Sequence, residues 1–205
     1  QSLKATMLSK MFPKAGQTVP EIRLDGFEGE WEAKILSRVT NITMGQSPKS
    51  ENYTDNPNDY ILVQGNADIK NKQVVPRLWT TEVTKMAEIG DIILTVRAPV
   101  GDIGKTDYNV VIGRGVAAIK GNDFIFYTLE KMKMTGFWNR FSTGSTFDSI
   151  SSNDIKEAII QIPTLKEQQA IGAYFSNIDN LISAHQEKIF QLETLKKKLL
   201  QDMFI

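Results

Sequence analysis

The chain has 205 residues, 41% of them hydrophobic, with no cysteine, one histidine, and 24 basic residues balanced by 24 acidic ones. That length and apolar content suit one sizeable domain with an appended element, zero cysteines exclude a disulfide framework and thiolate zinc sites, and no apolar run nears the ~20 residues that cross a bilayer as a helix. A net charge of zero lacks the basic excess of many nucleic-acid binders, so phosphate contacts would have to come from local patches, and QSLKATMLSKMF carries no export signal, which points to a cytoplasmic protein.

Residues 1–12 read as the closing turns of a helix, with Leu3, Met7, Leu8 and Met11 at helical spacing and Pro13 as the stop. A connector follows: PKAGQTVPEIRLDGFEGEWE, 13–32, holds two prolines and three glycines, with Phe27 and Trp31 as aromatic anchors. From Ala33 the texture becomes β-rich. ILSRVTNIT (35–43), YILVQ (60–64), DIILTVR (91–97) and VVIGRGVAAIK (110–120) read as strand segments bounded by turn residues. Between the first two, MGQSPKSENYTDNPND (44–59) runs sixteen residues without a clear strand or helix, a length that marks function or disorder in a compact domain. DFIFYTLEKMKMTGFW (123–138) reads as a helix, STGSTFDSISSND (142–154) as a polar loop, and EAIIQI (157–162) as a last strand ending at Pro163.

The strongest structural signal closes the chain. Thr164 and Glu167 directly after Pro163 predict a capping box and a helix start. Positions 171, 175, 178, 182, 185, 189, 192, 196, 199 and 203 then alternate steps of four and three, and eight of the ten are apolar, which predicts a coiled-coil seam. At ~1.5 Å per residue, 165–204 makes a rod on the order of 60 Å, longer than the preceding domain can cover, so the seam calls for a partner helix. The fold class expected is α/β (α+β): a mixed, β-rich domain over 33–163, the end of a preceding helix plus linker over 1–32, and a long coiled-coil-forming helix over 164–205.

Catalytic machinery is hard to find. The sequence has no Gly-Lys-Ser phosphate loop, no G-x-G-x-x-G after a strand and no G-x-S-x-G elbow, and its one histidine, His185, occupies a seam position suited to a spacer. Asp59, Asp68 and Lys70 loosely imitate the carboxylates and lysine of a metal-dependent nuclease, a distant alternative. DNPND (55–59) lacks the second proline and the aromatic of an amino-methyltransferase loop. What the sequence does offer is polar loops that each set a cation beside glycine, hydroxyls or an aromatic, as DNA-contacting loops do. Ser47, Lys49 and Tyr53 lie in the 44–59 loop, Arg77 in RLWTT, Arg97 and Lys105 in VRAPVGDIGK, Arg114 in IGRG and Arg140 in NRFSTGSTF. Arginine can bind guanine bidentately, whereas hydroxyls mostly hold phosphates.

The two ends of the chain nearly repeat. LKATMLSKMF (3–12) and LKKKLLQDMF (195–204) share Leu3/Leu195, Lys4/Lys196, Leu8/Leu200, Met11/Met203 and Phe12/Phe204 at a constant offset of 192. A period that nearly fills the chain predicts one full unit plus the tail of a preceding one.

Together with VPEIRLDGFEGEW (19–31), MGQSP (44–48), GDIILTVRAPVGDIG (90–104), GSTFDSIS (144–151) and IPTLKEQQAIGAYFSNIDNLI (162–182), this repeat resembles the specificity subunit of Type I restriction-modification systems. Such subunits have two target-recognition domains, each followed by a helix, and the two helices pair antiparallel as a spacer. The resemblance implies that this chain is the C-terminal half of such a subunit or a half-length form. It implies a non-catalytic reader of one half of a split double-stranded DNA site. The partners implied are methyltransferase subunits and a restriction/translocase subunit, which would supply S-adenosylmethionine, ATP and Mg2+, the chain itself needing no cofactor. A homodimer through the 165–204 helix would restore the two-domain layout. A scaffold that binds no DNA is the alternative the sequence leaves open.

Overall fold

The computed structural model describes residues 3–141 and 149–203. In chain order these form α1 (Leu3–Lys10), β1 (Glu32–Ile35), α2 (Leu36–Val39), β2 (Ile42–Met44), β3 (Tyr53–Thr54), β4 (Tyr60–Val63), β5 (Ile69–Lys70), β6 (Gln73–Val74), β7 (Trp79–Thr80), β8 (Met86–Ala87), β9 (Ile92–Thr95), β10 (Ile103–Lys105), β11 (Val110–Ile112), β12 (Val116–Ile119), α3 (Asp123–Met134), α4 (Ser152–Lys156), β13 (Ile159–Ile162) and α5 (Leu165–Met203). The strands make a six-stranded sheet ordered β2-β12-β9-β10-β6-β5, a five-stranded sheet ordered β3-β7-β4-β11-β8, and the antiparallel pair β1-β13.

The α+β expectation holds, and its strand sequences explain the layering. β9 and β12 are buried along their whole length because the six-stranded sheet is covered on both faces, which is why they read as continuous apolar runs rather than alternating ones. Ile92, Leu94, Ala117 and Ile119 point to a core shared with the helices, while Ile93, Val116 and Ala118 point the other way to Val63, Ala87, Val110 and Ile112 of the five-stranded sheet.

Three segments depart from the sequence reading. The expected strand over 35–43 is broken by the helical turn α2, where Thr40 N–H donates to Leu36 O and Leu36 is fully buried. VVIGRGVAAIK is two strands in different sheets, turned at Gly113–Gly115. The helix expected over 123–138 stops at Met134, because Gly136 takes φ +69° and the chain continues as a 3₁₀ turn, Phe137–Phe141. The 44–59 loop holds a 3₁₀ turn at Ser50–Asn52 and the short strand β3. Most of GSTFDSIS lies outside the described residues.

α5 begins as expected but its cap is half used. Glu167 N–H donates to Thr164 Oγ1 at 3.4 Å, while the Glu167 carboxylate, buried, receives Arg23 Nε and Nη2 at 2.8 Å each. Glu167 therefore ties the 13–32 connector to the helix start, a bidentate pairing that a purely local capping rule does not foresee. The N-terminal segment belongs to the same core: Phe12 stacks on Phe124 at 5.4 Å between ring centroids, with Trp31 at 5.9 Å and Phe175 at 6.1 Å. Above these rings sits an ion cluster. Lys4 Nζ lies 2.6 Å from Asp179 and 3.0 Å from Glu130, and Lys72 Nζ lies 2.7 Å from Glu130 and 3.0 Å from Asp179. Tyr127 donates its hydroxyl to Asp179 at 3.0 Å. Lys72 reaches the cluster from the two-residue turn of the β5-β6 hairpin, where Asn71 and Lys72 both take positive φ, as such turns require.

Only the first turns of α5 rest on the domain. Ile171 and Phe175 are buried and Ile178 is partly so, but Ile182 is 39% exposed, Ile189 55% and Leu199 54%. The seam thus changes character near residue 180, leaving its distal apolar positions bare.

Candidate nucleic-acid interface

Four loops meet at one end of the two sheets. They follow β2 (Gly45-Gln46-Ser47), β4 (Gln64-Gly65-Asn66) and β9 (Arg97-Ala98), and connect β11 to β12 (Gly113-Arg114-Gly115). Main-chain bonds bind them together: Gly45 N–H to Val116 O at 3.0 Å, Gln46 N–H to Ile112 O at 2.8 Å, Gly113 N–H to Val63 O at 2.8 Å and Val96 N–H to Gly115 O at 2.9 Å. Their approach is closer than a side chain permits. A Cβ on Gly45 would lie 2.1 Å from Gly113 O, and one on Gly115 would lie 2.0 Å from Gln64 O.

This junction forms an open cleft of about 270 Å³ lined by Ser47, Tyr53, Gln64, Asn66, Arg97 and Arg114, among others. Four of the eight residues predicted from sequence, Ser47, Tyr53, Arg97 and Arg114, are brought together here. The side chains of Arg97 and Arg114 are exposed and have no carboxylate within ion-pair distance among the described residues. Ser47 has a positioning role, since its Oγ accepts the Arg114 N–H at 3.1 Å and so fixes the turn that carries that arginine. Asp68 works from below: one carboxylate oxygen accepts Gln64 N–H at 2.8 Å and Gly65 N–H at 3.2 Å, and the other faces Arg77 Nη1 at 3.5 Å.

The other predicted residues stand apart. Among the described residues, Arg77 is linked to the cleft through Asp68. Lys49 is exposed beyond Ser47, 3.8 Å from Glu51, with its main-chain N–H given to Glu82 at 2.8 Å. Lys105 is ion-paired with Asp123 and lies over the Phe126 ring at 5.6 Å, on the helical side of the six-stranded sheet. Arg140 stacks on Phe137 at 3.6 Å and Phe141 at 4.9 Å, bordering a separate cavity of about 580 Å³ beside Phe12, Lys131 and Gln161. The nuclease arrangement gains no support, because the Asp68 carboxylate is committed to main-chain donors and Arg77, and no cluster of three or more metal-ligating acids or histidines occurs among the described residues. Gln64 and Asn66 are the cleft residues that sequence reasoning misses. The signal for them is VQGN itself, a further glycine-bearing loop whose neighbours become visible only once strand order is known.

Residues 28–194 match the family described as Type I restriction modification DNA specificity domain. A Methanocaldococcus jannaschii chain named for the MjaX type I restriction enzyme specificity subunit is 32% identical, with 96% of this chain and 48% of the relative covered. The MjaIX specificity subunit of the same organism is 24% identical over 86% of this chain and 44% of its own. Among solved structures, the HsdS subunit from Thermoanaerobacter tengcongensis superposes with a TM-score of 0.71 at 30% identity, covering 90% of this chain and 44% of that one. A chain from a structure of the type I R-M system, concerned with complex assembly and conformational transition, gives 0.78 at 31% identity, covering 96% and 48%. The chain spans about half the length of the curated relatives it matches.

Proposed function

The chain belongs to the family of Type I restriction modification DNA specificity domains, and on that premise we propose that its four-loop cleft reads base edges in one half of a bipartite double-stranded DNA target. The observation that carries this reading is the convergence of Arg97 and Arg114, exposed and free of ion pairs among the described residues, on one polar cleft with Tyr53 and Gln64. Guanidinium groups with no carboxylate to give up can fork onto guanine, and a carboxamide such as Gln64 complements adenine. The glycine contacts hold these groups on nearly rigid backbone, which favours discrimination over mere charge attraction. Zero net charge is compatible with this, since phosphate contacts would be shared with partners.

In this reading residues 33–163 are the recognition unit, 1–32 and 164–205 tie it to the rest of the assembly, and the chain performs no chemistry of its own. It directs methyltransferase and restriction/translocase subunits, which carry S-adenosylmethionine, ATP and Mg2+. The exposed distal half of α5 supports pairing with a second copy. The test is site mapping by methylation in the reconstituted complex, with binding measured by fluorescence anisotropy. Arg97→Ala and Arg114→Ala should each weaken the cognate site by roughly 1–3 kcal/mol and relax preference at particular base pairs. Lys105→Ala and Arg140→Ala should leave preference intact. Unchanged affinity and preference after the joint Arg97 and Arg114 substitution, with assembly preserved, would leave the scaffold reading in its place.

A further inference from the structure

The cleft loop that carries Gln64 and Asn66 hangs from a residue outside it. Asp68 accepts the Gln64 N–H at 2.8 Å and the Gly65 N–H at 3.2 Å on one carboxylate oxygen. It also closes the open end of the β5-β6 hairpin, where its carbonyl oxygen accepts the Val75 N–H at 2.8 Å. Each strand of that hairpin has two residues, β5 is the last strand of the six-stranded sheet, and β6 pairs with β10 at Gln73 and Lys105. A ribbon so short is not stable by itself, so its place is set by what grips it. At the closed end the Lys105 N–H is given to Lys72 O at 2.9 Å, and the Lys72 ammonium lies 2.7 Å from Glu130 of α3 and 3.0 Å from Asp179 of α5. Lys72 takes an unfavourable backbone conformation to do this. Its φ is +63°, after Asn71 at +48°, and glycine is preferred at the second position of such a turn. A lysine kept there points to a task for its side chain. Asn66 has a tie of its own, donating its amide to Asp102, which pairs with Lys133 one turn along α3 from Glu130.

We propose that Lys72 is a positioning residue for base recognition: by pinning the hairpin tip to α3 and α5 it sets, through Asp68, where Gln64 and Asn66 stand in the cleft. This rests on the reading that the cleft contacts base edges. A carboxamide tells one base from another when both of its hydrogen bonds are aimed, and a displacement of about 1 Å is enough to spoil that geometry. Arg97 has a different support, since it follows β9, which lies inside the sheet between β12 and β10. The influence of Lys72 is therefore confined to the base pairs that the Gln64 loop contacts. The fold tolerates its loss, because Lys4 stays on both carboxylates, 3.0 Å from Glu130 and 2.6 Å from Asp179.

The test is methylation-site mapping in the reconstituted complex, on duplexes in which each base pair of the half-site is varied in turn. Gln64→Ala and Asn66→Ala mark the base pairs that their loop reads, and Arg97→Ala marks its own. Lys72→Met, which keeps an unbranched stem and removes the charge, should lower discrimination several-fold at the base pairs marked by the loop and leave those marked by Arg97 unchanged. Lys72→Arg, which can meet both carboxylates, should restore it. Adding Lys72→Met to the Gln64 and Asn66 substitutions should lower discrimination no further, as expected of residues that act as one unit. Circular dichroism establishes that each variant is folded; should Lys72→Met unfold, Glu130→Gln, which leaves Asp179 to hold both lysines, should give the same selective loss. Unchanged discrimination in the folded variant overturns the positioning role, and so does an equal loss at every base pair, which would make Lys72 a residue of general stability. If the loop substitutions mark no base pair, the positioning role has nothing to act on and falls; if Arg97→Ala marks none either, the cleft reading falls with it.

Discussion

At the scale of single residues, the cleft depends on atoms that are missing. Gly115 and Gly45 let main chains pass where any Cβ would meet a carbonyl oxygen, 2.0 Å from Gln64 O in one case and 2.1 Å from Gly113 O in the other. Gly115→Ala should push the Gln64 loop away from the Arg114 turn and destabilise the fold by about 1–3 kcal/mol, as overpacking does. It changes no charge, so nonspecific affinity in low salt should survive while site preference falls, a split that anisotropy against cognate and scrambled duplexes would resolve. A Gly115→Ala protein with wild-type preference and melting temperature would mean that this junction does not set the cleft. The same residues show how far sequence reading reaches. Ser47, Arg97 and Arg114 are legible as cations and hydroxyls beside glycine, but Lys105 and Arg140 have the same local setting and sit on other faces. Local composition identifies a loop as polar; only the β2-β12-β9 and β4-β11 adjacencies decide which polar loops are neighbours.

At the scale of elements, the long helix and the apolar strands are readable because their periodicity is a property of the segment alone, whereas the devices that hold them together join residues far apart in sequence. Lys4, Lys72, Glu130 and Asp179 come from α1, a hairpin turn, α3 and α5, and nothing about any one of them announces the others. Burial acts to raise the Asp179 pKa, but the hydrogen bonds and charges of Lys4 and Lys72 outweigh it, and the carboxyl is held below its ordinary value. Burial, with Asp179 second, pushes the Tyr127 hydroxyl well above its usual range, so it remains a donor to that carboxylate. A carboxyl depressed in the folded state contributes stability that is complete above its unfolded value, near 4, and is lost as pH falls through the folded one. The melting temperature should therefore fall as the pH drops below about 4, and Asp179→Asn should flatten that acid limb while destabilising the protein at pH 7 by roughly 1–3 kcal/mol, less than the cost of breaking a fully buried pair. An acid limb equally steep in Asp179→Asn would assign the effect to other carboxyls. Gly172 offers a second check on the same junction, because its Cβ would lie 2.8 Å from Asp123 Cβ and 3.2 Å from Phe124 N. Although alanine is the better helix former, Gly172→Ala should lower the melting temperature by forcing α5 off the start of α3.

At the scale of the whole molecule, the proposed reading raises the question of how a recognition cleft would gain specificity, the chain spanning about half the length of its curated relatives. If the cleft reads a few base pairs as proposed, it would bury a small interface, and its specificity alone would be correspondingly limited. Joining two clefts by a rigid helix pair makes the second binding event intramolecular, which raises affinity by about 10²–10⁴ when the spacing matches and by nothing when it does not. α5 has the form such a link requires, being 39 residues of continuous helix, anchored at its base by Phe175 and the ion cluster and exposed at every position from 180 to 201. Two identical clefts related by a twofold axis would select an interrupted palindrome whose gap is fixed by the helix pair. Ile182→Glu with Ile189→Glu removes apolar contact from positions that are 39% and 55% exposed in the single chain, so the domain should fold and melt as before. The expected result is a monomer by light scattering at micromolar concentration, with affinity for the two-half-site duplex reduced by about 10²–10⁴ and affinity for an isolated half-site unchanged. Inserting or deleting one base pair in the gap should reproduce the loss with the unmodified protein, because the rod cannot stretch to follow the site. Should the double variant remain dimeric, or should the unmodified protein tolerate any gap length, the helix pair is not the ruler, and the spacing must be set by the partner subunits instead.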